Sequence, residues 1–134
     1  MNIALMAHDR KKELMVQFCI AYCGILSEHH IIATNTTGRL VAEATGLPIK
    51  LYLSCSQGGN QQIGACIAYN ELDLVLFFTD PNGTDAMAEE LTKIARLCDK
   101  QNIPLATNVA TAEVLIRGLK DGLLDWRDIV NPKK

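Results

Sequence analysis

The chain has 134 residues and a formal net charge of −2, with 49% hydrophobic and 21% charged residues. That length suits one domain with its own core, and the apolar content with low net charge excludes general disorder. Thirteen basic against fifteen acidic residues exclude a strongly cationic nucleic-acid binder.

Ile3 to Ala7 is predicted as a buried strand. Arg10 to about His29 is predicted as one helix, with Leu14, Met15, Phe18, Tyr22, Ile25 and Leu26 recurring at spacings of three and four. Ile31 to Thr34 reads as a second strand, and Gly38 to Thr45 as a short helix closed by Gly46. Leu51 to Leu53 is a third strand and Gly59 to Asn70 a helix. Leu72 to Phe78 is a near-continuous apolar run, as expected of a strand buried on both faces. It falls far short of the roughly 20 residues that cross a bilayer. Ala86 to Lys100 is a helix, Ile103 to Thr107 a fifth strand, and Ala110 to Leu119 a last full helix. The tail from Asp121 is expected to pack back on the domain, with Trp126 anchoring it in the core or at a subunit contact.

Strands alternating with helices predict a three-layer, doubly wound α/β domain across residues 1–134, with a mostly parallel five-stranded sheet. The N-terminus has no basic segment followed by a long apolar one, so no signal peptide is expected. Five cysteines, an odd number without a C-x-x-C, point to reduced thiols and a cytoplasmic protein. Cys19 and Cys23 are read as core thiols rather than metal ligands, and no metal site is expected.

Ligands of such sheets bind beyond the carboxyl ends of the strands. After the first strand, His8-Asp9-Arg10-Lys11-Lys12 places Asp9 as an N-cap and three cations in a first helical turn. Positive charge there opposes the helix dipole unless an anion binds; the alternative is three solvated side chains. After the second strand, Thr34-Asn35-Thr36-Thr37-Gly38 offers hydroxyls and free N–H groups to an anion, with Gly38 admitting close approach; the alternative is capping by Thr36. After the third, Ser54-Cys55-Ser56-Gln57-Gly58-Gly59 is again suited to a phosphate. Asp80 is a site carboxylate or a turn residue before Pro81. Asn108 is read as structural. Together the loops suggest a small phosphorylated ligand.

At this point the residues resemble the methylglyoxal synthases. The segments that carry the resemblance are Ile3-Ala4-Leu5-Met6-Ala7-His8-Asp9, Ala33-Thr34-Asn35-Thr36-Thr37-Gly38, Gly58-Gly59-Asn60-Gln61-Gln62-Ile63-Gly64-Ala65, Asp80-Pro81 and Ile103-Pro104-Leu105-Ala106-Thr107-Asn108. They occur in family order over essentially the whole chain, to the Asp125-Trp126-Arg127-Asp128 tail. The resemblance implies a flavodoxin-like fold, a homohexamer, no cofactor and no metal. It also implies conversion of dihydroxyacetone phosphate to methylglyoxal and inorganic phosphate. Carried over by position, Lys12, Thr34, Thr36, Thr37 and Ser54 form the phosphate cradle, with Cys55, Gly58 and Gly59 beside it. His8 and Asp9 match the family's His-Asp pair.

The chemical end departs from the family pattern. The usual G-G-D-Q-Q carries the base, and Asn60 stands in its place. The His and Asp of the family's P-H-x-P-D motif fall on Met87 and Glu90. Cys55 replaces a glycine. An amide cannot accept a carbon-bound proton at neutral pH, so the reaction is expected to be slow, with Asp9 or Glu90 as substitute base. Glu89-Glu90 also reads as a solvated helix start. The alternative to slow turnover is a catalytically silent module that holds phosphate or a triose phosphate. A third reading, a cysteine enzyme built on Cys55 and His8, has no second signal.

Overall fold

The computed structural model describes residues 1–52 and 58–132. Its elements in chain order are β1 (Asn2–Ala7), a 3-10 turn (Asp9–Lys11), α1 (Lys12–Ala21), α2 (Cys23–Leu26), β2 (His30–Thr34), α3 (Asn35–Thr45) and β3 (Ile49–Tyr52). They continue with α4 (Gly59–Ala68), β4 (Leu74–Phe78), α5 (Asp85–Gln101), β5 (Leu105–Ala106), α6 (Val109–Lys120) and α7 (Arg127–Val130).

The strands form one sheet in the order β3-β2-β1-β4-β5, and every pairing is parallel. The three-layer α/β class read from the sequence is therefore present. The strand order is that of the first five strands of a dinucleotide-binding sheet rather than flavodoxin's 2-1-3-4-5. Its switch point lies between β1 and β4, where Ile3 to Ala7 pair with Leu74 to Phe78.

Strand side chains alternate between faces, which explains why β1 and β4 are apolar throughout. Ile3, Leu5, Leu74, Leu76 and Phe78 face one layer, where they pack with Met15 and Phe18 of α1, Val41 of α3 and Ile116 of α6. Ala4, Met6, Val75 and Phe77 face the other, with Ile63 and Ile67 of α4 and Ile94 and Cys98 of α5. Among the described residues no helix is long and apolar enough to cross a membrane.

The expected helix from Arg10 to His29 is divided. Tyr22 leaves helical geometry (φ −110°, ψ 22°) between α1 and α2. The chain then turns, with Ser27 Oγ donating to the Gly24 carbonyl. His30 already belongs to β2, and His29 Nδ1 lies 3.0 Å from the Met1 amine. Trp126 is 68% exposed and does not anchor the tail in the core of this chain. The anchor is Arg127, which is buried and reaches Asp73 Oδ1 and Asn70 Oδ1, both at 2.7 Å, and the Asn102 carbonyl at 2.7 Å.

Candidate active site

The carboxyl ends of β1 and β4 meet at the switch point. His8 follows β1 directly, and its N–H donates to the Phe78 carbonyl at the end of β4. Its Nδ1 accepts the Asp80 N–H at 2.8 Å. A backbone amide only donates, so Nδ1 carries no proton and the neutral ring bears its hydrogen on Nε2. Burial pushes the His8 pKa below its ordinary value, and Lys12 adds to this, while Asp80 and Asp9 oppose it. The ring stands edge-on to Phe77, 5.1 Å between centroids.

Lys12 opens α1, and its side chain is 14% exposed. Its Nζ donates to the Ala7 carbonyl at 2.8 Å and lies 3.0 Å from Asp9 Oδ1. Of the three cations in the motif, Lys12 is the one folded over the end of β1. Arg10 is exposed and stands 3.9 Å from Asp80. Asp9 does not serve as a side-chain cap: it lies in the 3-10 turn with its carboxylate 98% exposed. Asp80 is a turn residue whose Oδ1 accepts the Asn82 N–H.

At the end of β2, Thr34 and Thr37 are buried and Thr36 is exposed. Thr34 occupies the N-cap position of α3 without a side-chain cap, so the expected capping by Thr36 is not the arrangement formed. Thr37 Oγ1 is buried and meets no partner among the described residues. A buried hydroxyl is nearly always satisfied, so this one marks a position suited to a ligand oxygen. Because α1 packs on α3, Lys12 and Thr37 open adjacent helices on the same edge of the sheet. Ser54 and Cys55 lie outside the described residues.

Gly58 precedes α4 with φ +97°, a left-handed conformation that glycine adopts without a Cβ clash. The turn delivers buried Gly59 and Asn60 to the first turn of α4. Asn60 Nδ2 donates to Glu90 Oε2 on α5. Glu90 is half-buried, unlike its exposed neighbour Glu89, so the solvated-helix-start reading fits Glu89 alone. His8, Asn60, Met87 and Glu90 line one cavity of about 310 Å³. Met87 is tied into the helix start: its N–H donates to Thr84 Oγ1, and its Sδ accepts the Thr84 N–H.

The structure thus gathers His8, Asn60 and Glu90 around a cavity and sets Lys12, Thr34 and Thr37 at neighbouring strand ends. It leaves Asp9 and Thr36 facing solvent. Sequence reasoning missed Lys93, which lines the same cavity. Its signal was its place three residues beyond Glu90, on the same face of α5.

An MGS-like domain family model matches residues 15–107. The chain is 59% identical over 133 residues to a methylglyoxal synthase of Caldicellulosiruptor saccharolyticus, covering 99% of this chain and 94% of the relative. It is 53% identical over 127 residues to one of Lysinibacillus sphaericus, covering 95% of each. The crystal structure of methylglyoxal synthase from Elizabethkingia anophelis superposes with a TM-score of 0.76 at 38% identity, covering 86% of this chain and 76% of that one. The chain belongs to the methylglyoxal synthase family.

Proposed function

We propose that this chain is a lyase that converts dihydroxyacetone phosphate to methylglyoxal and inorganic phosphate. It works slowly because Asn60 and Met87 stand where the family carries Asp and His. A base removes a proton from the carbon beside the carbonyl, and donors stabilise the enediolate. The ester C–O bond then breaks, and the phosphate leaves toward a cationic cradle of Lys12, Thr34, Thr36, Thr37 and Ser54, flanked by Cys55, Gly58 and Gly59. The observation that carries this reading is the buried Thr37 hydroxyl, unpartnered among the described residues, at the strand ends where Lys12 opens the adjacent helix. Of the catalytic candidates, His8, Asn60 and Glu90 line the cavity, whereas Asp9 faces solvent.

The same fold as a silent phosphate-holding module is the second reading, and the amide of Asn60 favours it. Release of methylglyoxal and phosphate from dihydroxyacetone phosphate, corrected for spontaneous loss, separates the two. The lyase reading expects turnover above background and a rise of about 10–100-fold on Asn60→Asp, because a positioned base contributes about 10²–10⁴-fold. Silence in both proteins, with inorganic phosphate still bound, would leave only the module. The chain is proposed to assemble as a homohexamer in the cytoplasm. Exposed Leu123, Trp126 and Ile129 support burial of the tail against another copy.

A further inference from the structure

We infer that Glu90 is the base that takes the carbon proton, and that Asn60 is its positioning residue; this rests on the lyase reading. Among the described residues near the cavity, the other proton acceptors are each engaged or exposed. His8 is excluded because its Nδ1 already accepts the Asp80 N–H at 2.8 Å and its Nε2 holds the ring proton. Asp9 is excluded because its carboxylate stands in solvent, paired with Lys12. Asp80 is turned into its own loop, accepting the Asn82 N–H at 2.9 Å. Glu89 is exposed. Glu90 is half-buried and borders both the His8 cavity and the adjoining groove between α4 and α5. Asn60 Nδ2 donates to its Oε2. That bond holds the plane of the carboxylate, leaving Oε1 to accept a proton.

The step balances without a co-reactant. Glu90 Oε1 takes a proton from the hydroxymethyl carbon. The C–H pair forms a double bond to the carbonyl carbon, and the carbonyl oxygen gains the charge, to which His8 Nε2–H can donate. The hydroxyl then gives up its proton to the leaving phosphate and becomes the aldehyde, and the double bond shifts to the methylene carbon. The C–O bond breaks with its pair on phosphate. The enolate then takes the proton from Glu90 at that methylene to become methylglyoxal, which restores the carboxylate.

The test compares the unmodified protein with Glu90→Gln, Glu90→Asp and Asn60→Ala. It follows methylglyoxal release, deuterium uptake from D₂O into unreacted dihydroxyacetone phosphate, and calorimetric binding of inorganic phosphate. In Glu90→Gln both release and uptake are expected to fall about 10²–10⁴-fold, with phosphate affinity within about twofold of the unmodified protein's. Glu90→Asp is expected to recover part of the loss. Asn60→Ala lowers kcat about tenfold at unchanged KM, as expected of a residue that acts through another. An active Glu90→Gln, or a Glu90→Asp as dead and as weak in phosphate binding as Glu90→Gln, overturns the assignment. An unmodified protein that binds phosphate but neither exchanges nor releases product sinks the lyase reading itself. An active protein indifferent to Glu90 sinks only this inference.

Discussion

A methyl group at position 38 would collide with Leu51 Cδ2 and stand 3.0 Å from Ala33 Cβ. Gly38 lets α3 lie close on β2 and β3; the close approach expected there is made by neighbouring strands rather than a ligand. Leu51 is 38% exposed and can swing aside. Ala33 Cβ is buried in β2 and has no rotamer to change. Gly38→Ala gains about 0.5–1 kcal/mol of helix preference but costs about 1–3 kcal/mol through overpacking. The expected outcome is a net loss of about 1 kcal/mol, read by urea unfolding. Single residues were legible where their chemistry was local, as with Lys12 and His8. Glu90 was named beside Asp9 as a substitute base, but its pairing with Asn60 was not legible, because the two are thirty positions apart and meet only when α4 packs on α5. Helix periodicity cannot separate Glu89 from Glu90; packing does.

Among elements, the caps were partly readable. Asn108 caps α6 by accepting the Thr111 N–H at 3.0 Å, and Gly46 closes α3 at φ +76°. The tail packs back on the domain as expected, but its buried tie is an arginine and not the tryptophan, which stays out of the core. Arg127 satisfies Asp73 Oδ1, Asn70 Oδ1 and the carbonyls of Gln101 and Asn102. Losing one partner of a buried ion pair strands the other, at about 3–5 kcal/mol. Arg127→Met is therefore expected to lower the unfolding free energy by about that much. Chemical denaturation of the two proteins side by side, with an unchanged m-value, checks it. A loss below about 1 kcal/mol would mean that the tail is held by something else.

Across the whole molecule, the alternation of strands and helices was enough to call for a parallel, two-faced sheet. It was not enough to order the strands, since sequence periodicity says which faces are buried and nothing about neighbours. The order matters because it makes β1 and β4 adjacent, which puts His8 beside the Phe78 carbonyl and opens the crevice. The outer surface carries its own signal: Val114, Leu123, Trp126 and Ile129 are each more than two-thirds exposed. Isolated exposed apolar residues are ordinary, but several on successive elements near the C-terminus fit a contact between copies. Trp126→Glu with Ile129→Glu is expected to shift the protein to a smaller species by light scattering. An unchanged mass would count against this contact.

The Asp73 carboxylate joins parts of the chain far apart in sequence. One oxygen accepts the Asn2 N–H at 2.8 Å, and the other receives Arg127. During synthesis the first strand leaves the ribosome long before α7 exists. A nascent chain that has assembled β1 and β4 thus holds a buried acid whose cation is still to be translated. A chain halted before position 127 therefore lacks the guanidinium that this carboxylate receives in the finished fold.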